Sequence, residues 1–66
     1  MLEEYRLKRL MKRIKLKDVA EYVGCSSSTI SRLENEKGYQ IKPDKVEKYK
    51  YFIDNYEEIK EKQRGR

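Results

Sequence analysis

Histidine is absent from this 66-residue chain and cysteine occurs once, so neither a Cys/His metal cluster nor an intramolecular disulfide can form. Without histidine the commonest general base at neutral pH is missing. No phosphate loop or nucleophile and base pair stands in for it, which makes an enzyme the least fitting class. No apolar run approaches the roughly 20 residues that span a bilayer, and the N-terminus has no apolar secretory segment. The expectation is a cytosolic chain with no metal, no cofactor and no membrane contact. Strand-like alternation, internal repeats and low-complexity tracts are also lacking.

Apolar residues are scarce as well. They make up 36% of the chain against 44% charged, so a core has to come from sparse stripes on amphipathic elements, which helices supply best. At this length the whole of 1–66 reads as one domain, near the size where a single core is marginal. The formal charge is +5, and it is unevenly spread. Residues 1–17 carry Arg6, Lys8, Arg9, Lys12, Arg13, Lys15 and Lys17 against Glu3 and Glu4. Residues 18–35 lean acidic and residues 36–50 lean basic. Basic segments flanking a middle section suit a phosphate-gripping surface, and on charge alone they suit simple solubility equally.

Leu7, Leu10, Met11 and Ile14 recur at helical spacing with basic residues on the opposite face, predicting a first helix over about 2–13. Leu16, Val19, Ala20 and Val23 repeat the spacing and Gly24 follows, where a left-handed cap wants glycine. This gives a second helix over 16–23. Ser26, Ser27 and Ser28 offer an N-cap hydroxyl, and Ile30 and Leu33 an inward face, for a third helix over 27–35. Glu36 to Lys42, with Gly38, reads as a loop. Pro43 and Asp44 then suit the first turn of a fourth helix. Val46, Tyr49, Phe52, Ile53, Tyr56 and Ile59 extend its stripe without glycine or proline, predicting one long C-terminal helix over about 44–62. The fold class expected is all-α, a small bundle of four to five helices.

The informative stretch is 15–35, two short amphipathic helices joined by a tight glycine-containing turn. Ala20 is small where helices cross closely, and Ile30 and Leu33 anchor the third helix so that its other face points outward. An outward helix held this way fits the major groove, about 12 Å wide. Val19-Ala20 with Gly24, then Ser26 and the run Thr29-Ile30-Ser31-Arg32-Leu33-Glu34-Asn35, resembles the Cro and phage-repressor (XRE) type of helix-turn-helix protein. Leu10, Ile14 and Pro43 extend the resemblance to about residues 5–53.

The resemblance implies a lambda-repressor-like bundle, sequence-specific binding of a double-stranded DNA operator, and a role in transcription regulation, most often as a repressor. It places Ser27, Ser28, Ser31 and Arg32 at base-reading positions. Arg32 is the strongest of them, because a guanidinium can bond both O6 and N7 of guanine. Each serine fits a capping or solvated role equally. Phosphate contacts would come from Lys15, Lys17, Asn35, Lys37 and Lys42, setting register and affinity and not sequence preference. Asn35 fits a helix C-cap equally. Arg9 and Glu34 would form an architectural ion pair between the first and third helices. Leu16 stands where many members carry a phosphate-donating glutamine, and the loop after the third helix is longer than in compact members.

Proteins of this layout bind pseudo-palindromic sites as homodimers, and Val46, Tyr49, Ile53 and Tyr56 on the C-terminal helix are the candidate dimer surface, with core cover as the competing role. Six tyrosines could stack on single-stranded bases, but Tyr22, Tyr49 and Tyr56 fit core or interface use better. Cys25, at the entry to the third helix, reads as a half-buried structural thiol. The competing function is a protein-interaction module, antirepressor or antitoxin-like, with a regulatory protein as partner. By resemblance the setting is the cytoplasm of a bacterial or phage-infected cell, at the nucleoid.

Overall fold

Helical spacing in the sequence becomes five α-helices in the computed structural model, which describes residues 2–36 and 38–64. They are α1 (Glu3–Met11), α2 (Leu16–Val23), α3 (Ser27–Asn35), α4 (Pro43–Asp54) and α5 (Tyr56–Arg64). Among the described residues there is no strand. Helix α2 buries Val19, Ala20 and Val23 on one face, and α4 lies against it, burying Tyr49, Phe52 and Ile53. Ile14, Ile30 and Leu33 complete the core, and Tyr22 stacks on Phe52 at 4.7 Å while Tyr56 meets the same ring edge-on.

The chain ends of α2 and α3 follow their residues closely. Gly24 takes φ 90°, and the N–H groups of Gly24 and Cys25 both donate to the Ala20 carbonyl, closing α2. Ser26 opens α3, its hydroxyl oxygen accepting from the Thr29 N–H at 3.2 Å. Pro43 occupies the first turn of α4 with Asp44 beside it.

Helix α1 is shorter than the 2–13 predicted, and its apolar stripe is not its buried face. Leu7, Leu10 and Met11 are 56%, 48% and 82% exposed, whereas Leu2, Tyr5 and Arg9 face inward. The cause is Glu34, buried on α3 at 3% exposure. Leaving a buried carboxylate unpaired costs about 3–5 kcal/mol, and Arg9, the residue that pairs with it, lies about 200° around the helix from Leu7. Turning Arg9 in turns Leu7 out. Ile14 still reaches the core because the chain reverses after α1. Arg13 takes φ 59°, the Ile14 N–H donates to the Arg9 carbonyl and the Arg13 N–H to the Leu10 carbonyl. That is the six-to-one and five-to-two pattern of a Schellman cap, with arginine where glycine is usual.

The single helix predicted over 44–62 is two helices, α4 and α5, broken at Asn55. No glycine or proline causes the break. Lys12, from the end of α1, donates its ammonium to the carbonyls of Ile53 (2.7 Å) and Asp54 (3.4 Å), and the Asn55 side-chain amide donates to the Tyr51 carbonyl. The Tyr51 carbonyl keeps its backbone bond from the Asn55 N–H, and it is the Lys12 ammonium at the Ile53 and Asp54 carbonyls that interrupts the ladder a continuous helix would need. Of the stripe that fits either a dimer surface or core cover, two residues are core. Tyr49 and Ile53 are fully buried within one chain, and Val46 and Tyr56 are half-buried.

Candidate nucleic-acid interface

The α2–turn–α3 unit is assembled from the inside outward. On the inner side of α3, Ile30 and Leu33 enter the core and Glu34 joins a buried polar network. The Arg9 guanidinium donates to Glu34 through two nitrogens, at 2.7 Å and 3.0 Å, and through a third to the Ile14 carbonyl at 2.9 Å. The Tyr49 hydroxyl donates to the same Glu34 carboxylate at 2.6 Å. A bidentate guanidinium with one more donor satisfies the carboxylate, and among the described residues no buried side-chain polar atom lacks a partner. One residue of α3 is thereby held by α1 and α4 at once. Burial, and then the hydrogen bond to Glu34, push the Tyr49 hydroxyl far above its ordinary range, so it stays a donor.

The turn is braced from a third direction. The Lys45 ammonium, on α4, donates to the Gly24 carbonyl at 3.0 Å, fixing the link between α2 and α3. The Ser26 and Thr29 hydroxyls also share a hydrogen bond at 3.0 Å. Ser26 is therefore the cap, which leaves the hydroxyls of Ser27 and Ser28 free of that task.

With its inner side fixed, α3 presents Ser27, Ser28, Arg32 and Asn35 to solvent, while Ser31 is half-buried at the edge of that face. Arg32 is 63% exposed at its side chain, and its nearest charged partner is Glu36, one turn on, at 3.6 Å. A pair this open is screened and weak, so the guanidinium can exchange it for another acceptor. Asn35 is the last residue of α3 and not its C-cap. Its amide donates back to the Ser31 carbonyl at 2.8 Å, and the cap is Glu36.

Lys15 is the N-cap of α2, Lys17 lies in its first turn and Lys42 is the N-cap of α4, all three exposed. Each sits where unpaired N–H groups and the helix dipole already favour an anion. Lys37 lies outside the described residues. Among those described, no group of side chains could hold a metal ion, and no helix is long and apolar enough to cross a membrane.

Sequence reasoning did not foresee Tyr49 in the Glu34 network, Lys45 on the turn or Lys12 on the end of α4. A tyrosine on an apolar stripe does carry one signal, since its buried hydroxyl must find an acceptor. Comparison with known proteins gives a match to the helix-turn-helix family over residues 2–49. No curated protein and no solved structure matches the chain.

Proposed function

Since the chain belongs to the XRE-type helix-turn-helix family of DNA-binding transcription regulators, we propose that it is a repressor that reads an operator by seating α3 in the major groove. The observation that carries this reading is the division of α3 into two faces. Ile30, Leu33 and the clamped Glu34 point inward, while Ser27, Ser28 and Arg32 are exposed on the other side. Arg32 reads a guanine through O6 and N7, with the serines bonding neighbouring base edges less selectively and Ser31 contributing from the margin. Lys15, Lys17 and Lys42 contact phosphates and set the register of the helix in the groove; Asn35 adds a polar contact where its amide swings off Ser31. Repression follows from occupancy, because a protein seated across a promoter groove excludes others from it.

Selection of bound sequences from a random duplex library, at fixed salt near physiological, tests the reading with the intact chain beside Arg32→Ala. The intact chain should enrich a motif, single or palindromic. Arg32→Ala should lose discrimination at one base position by about tenfold to a hundredfold, the equivalent of about 1–3 kcal/mol. Binding with no motif, fading smoothly as salt rises, would sink the proposal and leave a protein partner as the target of the fold.

A further inference from the structure

The end of α3 carries a carboxylate that neither helix stability nor affinity for a polyanion calls for. Glu36 is the C-cap of α3, its backbone N–H donating to the Arg32 carbonyl at 2.7 Å. An acid there stands at the negative end of the helix dipole. Its order with Arg32, the cation first and the acid four residues on, is the weaker of the two that such pairs can take. The side chain is exposed beside the outward face of α3, where its charge repels phosphate. A pair this open does little to steady the fold, so stability does not account for the choice of residue.

What the pair does settle is which edge of the guanidinium is engaged. Glu36 meets Arg32 at Nε, 3.6 Å away, and the N–H donors of Nη1 and Nη2 remain at the tip of the side chain. Two terminal nitrogens side by side match O6 and N7 of a guanine. Asn35 does not compete for the carboxylate, because its amide is turned back to the Ser31 carbonyl at 2.8 Å.

We propose that Glu36 is a specificity-determining residue. Its carboxylate holds Arg32 by Nε so that the guanidinium offers a base its terminal edge, and its charge keeps the same guanidinium from settling on phosphate. The inference rests on the major-groove reading of α3 and deepens it. An arginine on a free stem suits a phosphate as well as a guanine, and phosphate contacts add affinity without preference. In the free chain the pair with Glu36 is screened and opens readily; with water excluded at an interface it strengthens, and a guanidinium held at one edge has less freedom to lose. Glu36 thus lowers affinity for every sequence and sharpens the choice among them.

Dissociation constants at fixed salt test this with two duplexes: the one selected by the intact chain, and the same duplex with the base pair read by Arg32 replaced. Their ratio is the discrimination. Glu36→Gln should bind the replaced duplex about twofold to tenfold more tightly and shrink the ratio about threefold to tenfold. Glu36→Asp keeps the charge but shortens the reach, so it should shrink the ratio while leaving affinity for the replaced duplex near that of the intact chain. Added to Arg32→Ala, Glu36→Gln should strengthen both duplexes alike and leave the ratio where it was. Helical circular dichroism should stay the same, since the cap bond of α3 comes from the backbone. A gain by Glu36→Gln that is equal for both duplexes overturns the proposal and leaves Glu36 a repelling charge only. Weaker binding to both overturns it as well, in favour of a structural part. An intact chain that selects no motif, or an Arg32→Ala that blurs none, sinks the base-reading assignment and this inference with it, which is distinct from a motif that stays sharp in Glu36→Gln.

Discussion

Tyr49 shows how a single side chain can serve two masters within a small core. Its ring fills the space between α1 and α4, 6.1 Å from Tyr5, while its hydroxyl completes the coordination of Glu34. The folded protein therefore holds the phenolic proton well above the ordinary value of 10.0, to which unfolding returns it. A raised pKa of this kind contributes stability in full below pH 10 and loses it as pH rises further, by about 1.4 kcal/mol per unit for one proton. Tyr49→Phe should lower stability at neutral pH by about 1.5–3 kcal/mol, the value of a hydrogen bond to a charged acceptor, and should flatten the alkaline decline by one proton. Urea titrations from about pH 8 to pH 11 on both proteins measure it. An unchanged slope in the variant would place the alkaline loss elsewhere, Tyr5 being the next candidate, since its hydroxyl donates to Asp54 and is raised too. The sequence placed Tyr49 on an apolar stripe that fitted core and interface alike. It could not name the acceptor, because Glu34 is 15 residues away and meets Tyr49 only after α3 and α4 have packed.

Helices α2 and α3 were readable to the residue because their ends are written in local chemistry: a glycine in the left-handed region, a serine oxygen on a free N–H. The rotation of α1 and the break at Asn55 were not, because both depend on charges that arrive from distant parts of the chain. Glu34 decides which side of α1 turns inward, and Lys12 takes the carbonyls that would have continued α4. An apolar count favoured the Leu7 face, and nothing local opposes it. The end of α1 offers a direct test of how much its unusual cap costs. A non-glycine residue in the left-handed region loses about 1–2 kcal/mol, of which glycine's greater flexibility when unfolded cancels about 0.5–1. Arg13→Gly should therefore stabilise the monomer by about 0.5–1 kcal/mol, raising its Tm by several degrees in dilute solution. A lower Tm would mean that the Arg13 side chain makes contacts in the folded chain that outweigh the cost of its backbone conformation.

Over the molecule as a whole, a net charge of +5 attracts any polyanion, and the question is whether DNA affinity comes from that total or from cations at defined positions. The two accounts differ in how binding answers to salt. Each phosphate neutralised at a fixed contact releases condensed counterions and adds about 0.9 to the slope of log affinity against log salt. Lys15, Lys17 and Lys42, at the N-termini of α2 and α4, are the positions assigned to phosphates. Each Lys→Gln change there should reduce the slope by about 0.9 per bound copy and weaken all sequences alike. Lys62, exposed on α5, is the control: it contributes the same formal charge from another helix, and Lys62→Gln should leave the slope nearly unchanged. Arg32→Ala should separate cleanly from both, changing which sequence is preferred more than how binding depends on salt. If Lys62→Gln lowers the slope as much as Lys15→Gln, the attraction is diffuse and the helix N-termini have no special part in it. A loss confined to Lys15, Lys17 and Lys42 fixes the side of the molecule that faces the backbone, and with it the direction in which α3 enters the groove.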